Sequence, residues 1–178
     1  MDNRIQITKE EKKIEVVVKA YFDDKKQMML ILWIFLFSLC GFAILTQFFE
    51  DYDAGTKVFF GVYVAFWLFF EFKVIYAYRW RKYGEEKIII ENDQIFLIKT
   101  IGKRGVTQQF NLKEIKKIDF FKNPNAQFIK SMNTSYWNIN KYHLVLHLEN
   151  TSIPFAIDIV NGDAKKILNE LHTFTLKS

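Results

Sequence analysis

The chain has 178 residues, half of them hydrophobic, with 25 Lys and Arg against 20 Asp and Glu and a net charge of +5. Acids interrupt the bases throughout, so no basic stripe or aromatic–basic interleaving speaks for nucleic acid as a partner. One cysteine, Cys40, excludes an internal disulfide and a cysteine-based zinc site.

Residues 1–26 carry a strand signal. Ile14, Val16 and Val18 alternate with Glu15, Val17 and Lys19, after a shorter alternating piece at Arg4–Thr8, with a charged turn at Lys9–Lys13. A lone hairpin is marginal in water, so this segment is expected to join a sheet later in the chain. The other reading is a frayed tail with an amphipathic stretch.

Two apolar runs follow, about 28–49 and 58–78, each close to the 20 or so helical residues that a hydrocarbon core about 30 Å thick requires. Neither shows the polar stripe of a helix buried in a soluble bundle. Residues 27–80 are therefore expected to form a transmembrane helical hairpin, with loop 50–57 at its tip. The first run follows a 26-residue polar leader and exceeds the 7–15 apolar residues of a signal sequence, so it is read as retained. Lys19, Lys25 and Lys26 precede the pair and Arg79, Arg81 and Lys82 follow it, whereas the loop holds Glu50, Asp51 and Asp53 with only Lys57 at its far edge. The positive-inside rule then places both flanks in the cytoplasm and the loop outside.

Gly41 in the first run and Gly61 and Ala65 in the second are small residues that let helix backbones approach. Glu71 and Lys73 are the charges within the runs. Glu71 lies about 21 Å beyond Lys57 along a helix, which leaves it about 9 Å short of the inner boundary of the core. Lys73 reaches the interface by snorkelling, and the shorter Glu71 does so poorly. An interfacial or subunit-paired glutamate is expected ahead of a proton relay, because the first run offers no second acid or histidine.

Residues 84–178 carry 13 basic and 10 acidic residues and read as β-rich. Lys87–Glu91 and Gln94–Lys99 flank the turn pair Asn92-Asp93. Further strands are expected at Arg104–Phe110, Ile115–Lys122, Tyr142–Leu148 and Ile153–Val160, with another between Asn123-Pro124-Asn125 and Asn140. Gly84, Gly102 and Gly105 read as turn residues. A closing helix, capped by Asn161 or Asp163, places Ala164, Ile167, Leu168, Leu171 and Phe174 on one face.

This order resembles pleckstrin-homology (PH)-like domains, and in particular a bacterial arrangement (bPH-type) in which a two-helix membrane hairpin precedes the domain. The features that carry it are the strand pair around Asn92-Asp93, the turn Phe110–Ile115 and the passage Asn161-Gly162-Asp163 into the helix. The resemblance implies a partly open β-barrel plugged by the C-terminal helix, and binding without catalysis. The Asn92-Asp93 turn lacks the basic cluster that reads phosphoinositides in eukaryotic relatives. The expected fold class is thus an α+β membrane protein, a two-helix hairpin plus a cytoplasmic PH-like domain.

No catalytic or metal constellation stands out, and no cofactor is expected. His143 and His147 are about 13 Å apart along a strand, with apolar Val145 between them. Lys113, Lys116, Lys117 and Lys122 form the densest basic patch, a headgroup surface or a solvated strand edge. Tyr136 and Trp137 fill a barrel mouth or meet a partner. The expected function is a membrane-anchored, non-catalytic binding or scaffold module at the cytoplasmic face of a bacterial-type inner membrane. Its expected partners are membrane lipids and a second protein or its own copies. The alternative is an accessory subunit of a membrane or transport complex with Glu71 at the interface; an enzyme acting on lipids ranks last.

Overall fold

The computed structural model describes residues 4–121, 135–149 and 151–175. The chain divides into two compact units, one of residues 22–79 and one in which residues 1–21 join residues 80–178. The architecture is α+β, with two long apolar helices and a sheet-rich domain that is not a closed barrel.

In the helical unit, α1 (Asp24–Thr46) ends in a 3-10 turn at Gln47–Phe49, and α2 (Ala54–Tyr83) begins after a four-residue loop. Both start one turn before the apolar runs, because side-chain caps extend them. Asp23 accepts from the Lys26 N–H at 3.0 Å. Asp53 accepts from the Thr56 N–H at 2.9 Å and its hydroxyl at 2.6 Å. These bonds favour the charged form and hold the Asp53 carboxyl below its ordinary range. Leu30 and Gly41 on α1 and Trp67, Glu71 and Val74 on α2 are buried at helical spacing. The opposite surfaces are apolar and open. Leu32, Phe35 and Phe42 on α1, and Phe59, Phe66 and Phe72 on α2, are each more than half exposed.

In the sheet unit, five strands form an antiparallel meander: β1 (Ile5–Lys9), β2 (Lys13–Lys19), β3 (Gly84–Glu91), β4 (Gln94–Ile101) and β5 (Arg104–Asn111). The N-terminal pair joins the later strands through the β2–β3 ladder, where Val16 faces Ile88 and Ile14 faces Ile90. Period-2 alternation sets that register, since a slip by one residue would turn Ile14, Val16 and Val18 to water. Asn92 and Asp93 both have positive φ, 51° and 59°, the two-residue turn whose twist matches its strands. Gly102 (φ 61°) occupies the next turn, as expected. Gly105 and Gly84 lie in strands instead. A Cβ on Gly84 would fall 2.4 Å from the Trp80 carbonyl oxygen, so the direct passage from α2 into β3 requires glycine.

A second sheet comprises β6 (Ile115–Phe120), β7 (Tyr142–Leu148) and β8 (Ser152–Ile157), followed by α3 (Asn161–Thr175). The strand expected to reach Val160 stops at Ile157, because Ala156 and Asp158 take positive φ, 60° and 55°. The further strand expected before Asn140 and the position of Lys122 lie mostly outside the described residues; residues 135–140 form no strand. On α3, Ala164, Ile167, Leu168 and Leu171 are buried and Phe174 is partly so. They close a core with Val16, Ile88, Ile95, Leu144, Leu146 and Phe155. Each fully buried Ile or Leu contributes about 1.5–3 kcal/mol.

Candidate functional site

Each unit buries ionisable side chains, and each does so with different partners. In the helical unit Glu71 is 7% exposed. Half-buried Ser38, on α1, donates its hydroxyl to Glu71 Oε1 at 2.6 Å. Glu71 Oε2 is buried with no hydrogen-bond partner among the described residues. Helix N–H groups are consumed by the helix, so only another side chain can serve a carboxylate there. Nearby, the Trp67 ring lies on Gly41, where a Cβ would come within 1.9 Å of it. The Trp67 indole N–H donates to the Phe37 carbonyl at 3.0 Å. Gln27 donates to the Tyr78 carbonyl at 3.2 Å.

Of the small residues, Gly41 alone is packed in the seam. Gly61 has nothing within 4 Å of its would-be Cβ, and Ala65 is exposed. The seam uses Trp67, two residues beyond Ala65, because an aromatic ring on a glycine fills more space than two small residues meeting. Lys73 is exposed, with its ammonium 4.5 Å from the Phe69 ring centroid.

In the sheet unit Arg81 is the most enclosed charge. Its guanidinium pairs with Asp158 and donates to the carbonyls of Tyr136 (2.9 Å), Asn138 (3.3 Å) and Tyr21 (3.4 Å). The Tyr136 ring lies 4.7 Å from it. Tyr136, expected from sequence to fill a barrel mouth or meet a partner, packs against this guanidinium, while Trp137 is 37% exposed. Lys113, Lys116 and Lys117 are exposed around the start of β6, and Lys117 donates to Asp119 at 2.6 Å. The histidines have separate partners. His143 meets the Lys141 carbonyl, His147 the Ser152 hydroxyl, and His172 the Ile118 carbonyl. Among the described residues no three of His, Cys, Asp and Glu converge.

A cleft of about 290 Å³ is lined by Glu86, Leu97, Lys99, Val106, Tyr142 and Phe155. Glu86 on β3 stands directly opposite Lys99 on β4. Glu86 Oε2 accepts from the Ile157 N–H at 2.8 Å. The left-handed Ala156 makes that donation possible, because it turns successive N–H groups out of the ladder toward one anion. Such a backbone costs a residue with a Cβ about 1–2 kcal/mol. The Lys99 ammonium sits 4.6 Å from the Trp80 ring and 5.6 Å from that of Tyr142. Burial raises the Glu86 pKa against the Ile157 and Ala156 N–H groups and Lys99, which lower it. Burial lowers that of Lys99 against Glu86. Desolvation is the larger influence on each and pushes both toward neutrality, while the opposite charge across the ladder works against it.

Sequence reasoning passed over Glu86 and Lys99, although their parity was available. Glu86 shares the buried face of Ile88 and Ile90, and Lys99 that of Ile95 and Leu97. Ser38 and the cage role of Arg81 carried no local signal. No family model matches the chain, and a search of curated proteins found no significant match.

Proposed function

We propose that this chain is a membrane-anchored, non-catalytic binding module. In this reading α1 and α2 cross a bacterial-type inner membrane, with loop 50–57 outside. The sheet unit, a bPH-type domain, stands at the cytoplasmic face and engages lipids and a protein partner or its own copies.

The observation that carries the reading is the open apolar surface of both helices. Exposed apolar area forfeits about 25 cal/mol per Å² in water, and contiguous patches of this extent mark an apolar environment. Lysine and arginine on the flanks and acids in the loop support the orientation. The strand meander, second sheet and closing helix support the PH-like kinship. The cleft at Lys99 has the apolar walls and few polar groups typical of binding sites.

Alkaline carbonate extraction of membranes carrying the full chain tests the anchoring. The protein is expected in the pellet, and its release to the supernatant would sink the reading. For orientation, Asp51→Cys in a Cys40→Ser background is expected to react with an impermeant maleimide in intact cells while Glu114→Cys does not. The opposite pattern reverses the topology.

A second reading, an accessory subunit of a membrane complex, rests on the unmatched Glu71 Oε2. It predicts that Glu71→Gln loses a co-purifying membrane protein at unchanged membrane level; an unchanged set of companions removes it.

A further inference from the structure

We propose that β5 is a self-pairing edge, through which two copies of this chain join about a two-fold axis at Gln108. This deepens the binding-module reading by naming a second copy as partner, and it stands whether or not the helices cross a membrane.

Among the described residues, the two sheets present β1, β5, β6 and β8 as edge strands. Unprotected edges are templates for another strand, and folded proteins blunt them. β1 is five residues long, and its Lys9 is tied to Glu170 on α3. β6 carries Lys116, Lys117 and Asp119. β8 contains Pro154. β5 has none of these devices. It runs eight residues, bears a single charge at Arg104, is exposed on both faces except at Phe110, and leaves Val106 67% exposed.

The ladder fixes which groups are free. Ile101 and Arg104 flank a two-residue turn and form a hydrogen-bonded pair, and bonding then recurs at every second residue. The Leu112 N–H donates to the Asp93 carbonyl at 2.8 Å, which confirms that even-numbered residues face β4. Gly105, Thr107, Gln109 and Asn111 therefore send their N–H and C=O groups outward.

Antiparallel self-pairing must match these outward residues with one another, which leaves a residue on the axis. With Gln108 there, Thr107 faces Gln109 of the second copy and Gly105 faces Asn111, giving about eight main-chain hydrogen bonds. Val106 of each copy then faces Phe110 of the other in the non-hydrogen-bonded pairs, where side chains come closest. No like charges are opposed within the strands. Moving the axis to Thr107 sets Arg104 against Phe110. Moving it to Gln109 sets Val106 against Leu112, past the strand end. The Gln108 register alone matches apolar with apolar twice.

The test uses the full chain in mild detergent with Cys40→Ser. Gln108→Cys puts two thiols across the axis at a Cα separation of about 4.5 Å, within disulfide reach. Mild oxidation is expected to convert most of it to a covalent dimer and to leave Thr107→Cys and Gln109→Cys monomeric. A disulfide at 107 or 109 in place of 108, or none at any of the three, overturns the proposal. Val106→Lys and Thr107→Pro are each expected to halve the protein mass measured by light scattering, with circular dichroism unchanged. A dimer that survives both substitutions overturns it equally. Carbonate extraction of the same variants reports on anchoring separately.

Discussion

Glu71 and Glu86 are carboxyl groups each 7% exposed, and their surroundings differ. Glu71 lies between helices and receives one side-chain donor, Ser38. Glu86 lies in a sheet, close to a strand end where a left-handed alanine frees backbone donors, and it faces a lysine. Helices keep their N–H groups and strand ends can release theirs. A sheet unit can therefore hold a buried charge with its own main chain, whereas a helix pair must recruit side chains or leave an oxygen unserved.

The largest expected effect comes from removing a charge that is fully served. Arg81→Met strips Asp158 of its partner and three carbonyls of their donor, and breaking a buried pair typically costs about 3–5 kcal/mol. Denaturant melts of the sheet unit's signal should lose that much. A loss under 1 kcal/mol would show that the cage is dispensable.

Glu86 comes next. Glu86→Leu leaves the Ile157 N–H unsatisfied and Lys99 without a counter-charge, an expected loss of about 1–3 kcal/mol. Its pH dependence has a definite sign. Because burial raises the folded-state pKa, the protonated form is favoured in the native state. Stability from this group is therefore present below the ordinary carboxylate range and declines as pH rises from there through the raised value. Glu86→Gln should remove that acid-side slope in melts taken across pH. A slope that persists assigns it to another carboxyl.

A further contrast, running down to no effect at all, separates two glycines in the helical unit. Gly41→Ala drives a methyl into the Trp67 ring and is expected to weaken the helix pair by about 1–3 kcal/mol, as overpacking does. Gly61→Ala meets open space and should be neutral. Trp67 fluorescence and detergent-denaturation midpoints would read the difference, and equal responses would refute the packing contrast.

Much of the sheet unit was legible because its signals are local. The alternation of Ile14, Val16 and Val18, the Asn92-Asp93 turn and the apolar face of α3 each depend on residues a few positions apart. The early end of β8 was not legible, since nothing in Ala156 announces a left-handed backbone; Glu86, seventy residues earlier, is what rewards it. Gly61 and Ala65 carried a small-residue spacing, yet the aromatic side chain beside them decided the seam.

By itself the amino-acid order determined two long apolar helices, a β-rich remainder with alternating faces, and a closing amphipathic helix. These follow from period and run length, which act within one element. Only the tertiary structure decided which charges are served. It joined Ser38 to Glu71, Arg81 to Asp158 and Glu86 to the Ile157 N–H, and among the described residues it left β5 as a bare edge. Those pairings depend on where elements distant in sequence come to lie, and desolvation makes a misplaced partner costly only once they are packed.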